Sequence, residues 1–235
     1  CKNPTEQQGA RAAHARDAVA LCRFLHFMAG AGPAGGETER SVAERLLVFR
    51  REQEGFRGES FPAISGAGEH GAIIHYRVTE ATDRPIRPDE VYLVDSGAQF
   101  PDGTTDVTRT IWTGPLKPPE EVGDRYTLVL KGHIAIATLV FPEGVAGQHL
   151  DAFARRALWQ VGLDYDHGTG HGVGSYLSVH EGPARLSRAG HPVALAAGMI
   201  LSNEPGFYQA GAYGIRIENL LMVQPAELAG AARPF

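Results

Sequence analysis

The sequence has little of what would mark an unusual environment. It holds only two cysteines in 235 residues, Cys1 and Cys22. One conceivable bridge is too little for a disulfide scaffold, so a reducing compartment is expected. No apolar stretch approaches the roughly 20 residues of a membrane span, and no secretory leader is visible. A cytoplasmic protein without a membrane partner is the expectation. There is no long basic run either: 22 Lys and Arg stand against 27 Asp and Glu, for a net charge of -5. Nucleic acid is therefore a poor default partner, and the short cluster Arg50-Arg51 reads as the solvated face of a helix. The chain does not begin with Met, so a fragment of something longer is expected.

Glycine and proline are plentiful, 29 and 15 residues. They favour turns and short strands over a helical bundle. The length suits one large domain with a buried core. Asn3-Pro4 reads as a helix start, a capping residue followed by Pro in the first turn. Ala18, Leu21, Cys22 and Leu25 follow at helical spacing, and the Gly-rich stretch 30–36 ends the helix. Thr38 can cap a second helix bearing Val42, Leu46 and Phe49. From Phe61 the texture changes to short β-prone runs at 72–75, 91–94 and 107–112. Asp102-Gly103 marks a turn between the last two, which puts Asp95 and Asp106 on neighbouring antiparallel strands. Pro118-Pro119 opens a third helix with Val122, Tyr126 and Val129 or Leu130 on its apolar stripe. A fourth runs over about 148–161. His191-Pro192 and Ala197-Gly198 sit in loops, and 199–203 and 213–223 read as strands. The order of helices, strands, helices, strands suggests an α+β fold with helices outside a curved antiparallel sheet.

Five potential ligands stand in distinctive local settings: Asp95, Asp106, His171 between glycines, Glu204 before Pro205, and Glu218 in an otherwise apolar run. Singly, each has a plainer explanation. An Asp on a strand is usually an edge or turn residue. Glu204 could simply belong to a turn. Glu218 could pair with Arg216, since alternation places both on one face, although a buried carboxylate is costly without a partner or a metal. Together, four carboxylates and one imidazole make a hard, oxygen-rich donor set. So many anions oversupply one metal. Two divalent ions roughly 3.5 Å apart could share them and lower the pKa of a bridging water.

These five segments, in this order, resemble the pita-bread metallopeptidases, and within them the Xaa-Pro aminopeptidases most of all. Gly71 to Tyr76, His167 to Gly174 and Val179 to Pro183 carry the closer likeness, as does the opening segment from Lys2 to Val19. The resemblance implies a pita-bread fold, two pseudo-twofold halves in one catalytic domain over residues 1–235, and truncation at both ends, with N-terminal domains of the full-length protein absent. It implies metal ligands Asp95, Asp106, His171, Glu204 and Glu218. Mn²⁺ is the first expectation, with Zn²⁺ or Co²⁺ as alternatives. The implied reaction is hydrolysis of the N-terminal Xaa-Pro bond through a metal-bridging hydroxide, on a peptide with proline second. Glu204 would shuttle the proton. His75 and His180 would hydrogen-bond the reacting carbonyl, and His167 would bind substrate on the proline side. Arg216 would orient a ligand carboxylate such as Asp95. A homodimer is implied for the full-length form.

The alternatives are a prolidase, whose dipeptide carboxylate Arg109 or Arg185 could clamp, and a non-enzymatic binding module of the same fold. Methionine aminopeptidase and creatinase match less well, the latter because it uses no metal. Tyr76, Phe207 and Tyr213 are candidates for the proline pocket. His14, His26, His70, His133, His149 and His191 read as ordinary residues, and Trp112 and Trp159 as packing residues.

Overall fold

The computed structural model describes residues 1–190 and 192–235; His191, read above as an ordinary loop residue, lies outside them. The chain runs through α1 (Pro4–Ala34), α2 (Glu39–Arg51), β1 (Gly58–Glu59), β2 (Ile64–Ala67), β3 (Val91–Ser96), β4 (Ala98–Phe100), β5 (Gly103–Thr104) and β6 (Val107–Trp112). The second half holds α3 (Glu120–Ala137), α4 (Asp151–Trp159), β7 (Gly170–His171), β8 (Arg185–Leu186), β9 (Ile200–Asn203), β10 (Gly206–Gln209), β11 (Tyr213–Arg216) and β12 (Asn219–Met222). Each half thus begins with two helices and continues in strands, and every strand pair is antiparallel.

Both helix starts form as expected. Asn3 and Glu6 make a reciprocal capping box, as do Thr38 and Ser41, each satisfying orphan N–H groups of a first turn. The stretch 30–36 ends α1 later than expected, because Gly30, Gly32 and Pro33 remain helical up to Gly35, whose φ is 72°. Gly32 lies against Thr113: a Cβ there would stand 3.2 Å from the Thr113 Cβ. This close packing offsets the helix cost of glycine, about 1 kcal/mol relative to Ala.

The buried stripe of α1 is also displaced from the expected one. It runs through Ala13, Asp17, Ala20, Leu21, Phe24 and Met28, while Ala18 and Cys22 are exposed. A charge, Asp17, sits in the stripe because Arg50 of α2 meets it there through two hydrogen bonds of 2.7 and 3.1 Å. Arg50 is therefore buried, against the solvated-face reading, and only Arg51 is exposed.

In β3, Tyr92 and Val94 pack on α1 and α2 with Phe24 and Leu46, while Leu93 and Asp95 face the other side of the sheet. β3 pairs with β6 so that Asp95 opposes Thr108. The β4–β5 hairpin, turning at Pro101-Asp102, separates them. In the second half Phe207, Ile215 and Ile217 pack on Val129 of α3 and Leu158 of α4, so Arg216 and Glu218 face away from those helices. Two sequence readings need correction here. Residues 72–75 form no strand: Ala72 ends a 3-10 turn, Gly68–Ala72, and 73–75 continue as a bend and turn. The run 213–223 is broken at Ile217-Glu218, where the backbone leaves one ladder for another. Across this break the Glu218 N–H donates to the Thr108 carbonyl at 3.3 Å, which joins the two halves.

Candidate metal centre

A cleft of about 500 Å³ opens on the sheet face turned away from the helices. Asp95, Asp106, His171, Glu204 and Glu218 all line it, and so do His75, His167, His180 and Arg216. Asp95 comes from β3, and Asp106 stands one residue before β6. Glu218 sits at the break after β11, where its carboxylate accepts from Thr108 Oγ1 at 2.6 Å. Arg109 clamps the same break from behind, donating to the Glu218 carbonyl at 2.7 Å and to Asn219 at 2.9 Å. Arg109 is thereby occupied, and it borders a different cavity. Arg185 remains at the rim of the cleft.

The glycines around His171 have a packing reason. A Cβ at Gly170 would lie 2.0 Å from the Ser202 carbonyl oxygen, and one at Gly172 equally close to that of Glu181. Only glycine allows this approach. It brings the His171 N–H to Ser202 Oγ at 2.9 Å, and Ser202 Oγ donates in turn to Glu204 Oε1 at 2.8 Å. His171 Nδ1 lies 3.0 Å from the Gly172 carbonyl, which assigns it the proton. Nε2 is turned toward Asp106 Oδ2 and Glu204 Oε1, 3.4 Å from each.

Asp106, His171 and Glu218 each offer a ligand atom, all within 4.8 Å of one another. Asp95 Oδ2 accepts from Arg216 Nη2 at 2.8 Å, while its buried Oδ1 has no hydrogen-bond partner among the described residues. Such an orphan acceptor beside other carboxylates suits a cation. The titration pattern agrees. Burial raises Glu204 to about 7, beyond what the His171 and Arg216 charges offset. Burial also raises Asp106 to about 6, with Asp95 adding to the rise and a hydrogen bond from His171 opposing it. Glu218 is pushed well above the carboxylate range by burial, then by the charges of Asp106, Glu204 and Asp95. Burial alone would lower His171, but the bond to Asp106 and the charge of Glu204 bring it above the ordinary range. The donor set and its crowded charge fit two divalent ions.

His180 stacks edge-on against His171, with ring centroids 4.0 Å apart, and both it and His75 are exposed to the cleft. His167 is different, because both of its nitrogens are used. Nδ1 lies 2.8 Å from the Gly168 carbonyl, and Nε2 2.8 Å from the Tyr208 hydroxyl. Tyr208 also accepts from Arg216 Nη1 at 2.8 Å. A chain therefore runs Asp95–Arg216–Tyr208–His167. Burial lowers His167 to about 4, so the ring is neutral near pH 7.

Tyr208 was missed in the sequence. Alternation from Glu204 through Gly206 reaches it, and its ring fills the place a Gly206 side chain would take. The aromatic candidates for a proline pocket do not line the cleft. Phe207 and Tyr213 belong to the core beneath α3, and Tyr76 hydrogen-bonds buried Glu39; Phe61, Ile64 and Ile74 supply the cleft's apolar wall. Two histidines read as ordinary have firm structural places. His70 bonds Glu39, and His133 lies 3.1 Å from the Asn203 carbonyl, bracing α3 on β9.

The family model for metallopeptidase family M24 matches residues 8–225. Xaa-Pro aminopeptidase 1 of Dictyostelium discoideum is 53% identical over 230 residues, 95% of this chain and 36% of that protein. Aminopeptidase P2 of Arabidopsis thaliana is 50% identical over 228 residues, 96% of this chain and 32% of that protein. The chain thus spans about a third of the length of these curated relatives. Among solved structures, X-prolyl aminopeptidase from Caenorhabditis elegans, described as a cytosolic enzyme with a di-nuclear active site, superposes with a TM-score of 0.91 at 44% identity. That match covers 99% of this chain and 38% of the other. A recombinant prolidase from Thermococcus sibiricus gives 0.80 at 32% identity, covering 99% and 59%.

Proposed function

The chain belongs to metallopeptidase family M24 and has the pita-bread fold, and from that premise we propose that residues 1–235 are a single catalytic unit releasing the first residue of peptides with proline second. The observation that carries this reading is the convergence of Asp106, His171 and Glu218, flanked by Glu204 and by the Asp95 oxygen that has no partner among the described residues. The names of its similar proteins point the same way.

Asp95, Asp106, His171, Glu204 and Glu218 would hold two divalent ions. Mn²⁺ is proposed first because the donors are hard oxygens, with Zn²⁺ and Co²⁺ as alternatives. When bound, the ions supply Lewis-acid polarisation and a water of lowered pKa. Glu204, with its raised pKa, takes the proton of the attacking water and delivers it to the proline nitrogen as the C–N bond breaks. His180 and His75 donate to the carbonyl oxygen as it gains charge. Arg216 fixes the Asp95 carboxylate. His167 contacts the proline side with its ring, since its Nε2 could bond substrate only by giving up Tyr208. For the whole protein, a peptide substrate rather than nucleic acid, a homodimer and a cytoplasmic location are proposed. The last is supported by the description of the Caenorhabditis elegans enzyme as cytosolic. Among the described residues no helix is long and apolar enough to cross a membrane.

A prolidase is the second reading, favoured by Arg185 at the cleft rim, where a cation could hold a dipeptide carboxylate. One assay separates the two. Metal-stripped protein receives Mn²⁺, Co²⁺ or Zn²⁺ with an Arg-Pro-Pro tripeptide, an Xaa-Pro dipeptide or a Met-Ala peptide. Metal-dependent release of Arg from the tripeptide, lost in Glu204→Gln, is expected. Cleavage of the dipeptide alone makes the protein a prolidase, and no turnover with metal bound overturns both readings.

A further inference from the structure

The segment from Asp164 to His171 carries two of the cleft's histidines, and α4 grips it from outside. Arg155 of α4 is 1% exposed. Its Nε donates to Asp151 Oδ2 at 2.6 Å and its Nη2 to Asp151 Oδ1 at 3.2 Å. The remaining N–H groups enter the segment. Nη1 donates to the Tyr165 carbonyl at 2.5 Å and to Asp164 Oδ1 at 2.8 Å, and Nη2 to the His167 carbonyl at 2.7 Å. The Tyr165 ring lies under the guanidinium, 3.8 Å from Cζ to its centroid. The His167 ring packs beside it, with centroids 4.8 Å apart. Asp151 also accepts from Thr169 Oγ1 at 2.6 Å. Residues 165, 167 and 169 are thus all tied to one buried ion pair.

His171 is fixed from the opposite side, by Ser202 and by the β7–β8 pairing. The hub therefore bears on His167 more directly than on the metal-facing histidine. Stability alone is a weak reason for such a pair, since apolar residues of equal volume often serve as well. What apolar residues cannot do is fix two carbonyls and a hydroxyl at set positions. The planar guanidinium holds the two carbonyls and its Asp151 partner takes the hydroxyl, and an ammonium cannot span the same fork.

We propose that Arg155, anchored by Asp151, is a positioning residue that sets the backbone at His167, so that its ring enters the cleft with Nε2 on Tyr208. As a statement about catalysis this rests on the substrate contact assigned to His167 above. The test is Arg155→Lys in the 235-residue protein. KM for the proline tripeptide rises roughly tenfold or more, kcat changes less, and Zn²⁺ affinity matches wild type. In the His167→Ala background the same substitution adds no further KM penalty, as expected for two residues acting through one contact. Long-range ¹H–¹⁵N spectra of the metal-free protein lose the His167 signature of a protonated Nδ1 and an accepting Nε2, while the His171 ring signals stay.

If Arg155→Lys does not fold, Asp151→Asn is read the same way, since it keeps the guanidinium and slackens its anchor. A lowered Tm with unchanged His167 signals and KM overturns the proposal. So does a KM penalty that persists in full without His167, or a loss of Zn²⁺ binding as large as the loss of substrate affinity. If wild type cleaves no proline peptide, the functional reading fails, and the His167 spectra alone decide whether Arg155 positions the ring.

Discussion

Glu218 occupies a position that the metal-free protein tolerates poorly. It is 1% exposed, bonded by one hydroxyl and faced by three other carboxylates. Its pKa is raised, so the protonated form is the comfortable one in the fold. Stability is then retained at low pH and lost as pH rises through the folded value. Glu218→Gln keeps an acceptor for Thr108 and removes the charge. The metal-free variant should therefore melt higher than metal-free wild type at pH 8, and the gap should close toward pH 5. With metal the order reverses, because the variant cannot supply the anion. A metal-free Glu218→Gln protein that melts below wild type at pH 8 would show that the carboxylate is not a burden. Proton competition gives a second expectation. As proposed ligands, Glu204 near 7 and Asp106 near 6 would both have to ionise before a cation binds, so apparent metal affinity should climb between about pH 5 and 8. Calorimetric titration at several pH values checks this, and a flat profile contradicts it.

Individual elements hold these side chains where chain separation would scatter them. β7 can lie beside β9 only because Gly170 presents no Cβ to the Ser202 carbonyl. Gly170→Ala should cost about 1–3 kcal/mol in urea unfolding through forced displacement, and it should weaken metal binding because Ser202 is bonded to both His171 and Glu204. An unchanged metal affinity would separate the glycine from the site. The same residues show what one sequence can disclose. Asp95, Asp106 and His171 stood out because a strand or a glycine pair makes a ligand type locally odd. The strands at 91–94 and 107–112 stood out through β-branched residues. Arg50 and Arg155 did not: the partner of Arg50 is Asp17 on another helix, and the i,i+4 pair of Asp151 and Arg155 has the same letters whether buried or solvated. Only what packs over each pair decides which is which: α1 meets Arg50, and the segment 164–169 meets Arg155. Tyr208 was hidden likewise: its hydroxyl meets Arg216 and His167 through a hairpin register and a loop path that local patterns do not encode. The absence of a strand at 72–75 has a comparable cause, since β-prone residues there follow a 3-10 turn anchored to Glu39 through Ala67 and His70.

At the scale of the whole molecule, the site is a bond between halves. Asp95 and Asp106 come from the first half, and His171, Glu204 and Glu218 from the second. Without a cation, hydrogen bonds from both halves tie the joint across the cleft. Arg216 reaches Asp95, Thr108 meets Glu218 through side chain and backbone, Thr110 reaches the Arg216 backbone, and Arg109 reaches the Glu218 carbonyl and Asn219. Facing carboxylates push against them. A divalent ion held by the proposed ligands would replace that repulsion with attraction across the same joint, so metal binding should stabilise the fold cooperatively rather than merely fill a pocket. At free metal a hundredfold above its dissociation constant, linkage gives about 2.7 kcal/mol for one site. In a chain of this length that raises Tm by roughly 5–10 °C. Hydrogen exchange should slow in β6, β11 and β12 together, since these strands meet at the seam. Asp95→Asn leaves the first half without one of its two anions, and it should lose most of the shift while keeping the helices folded. If Mn²⁺ or Zn²⁺ protected only the second half from exchange, or if Asp95→Asn kept the full rise in Tm, the ions would be held by one half alone and the joint would owe its strength to Arg216, Thr108, Thr110 and Arg109.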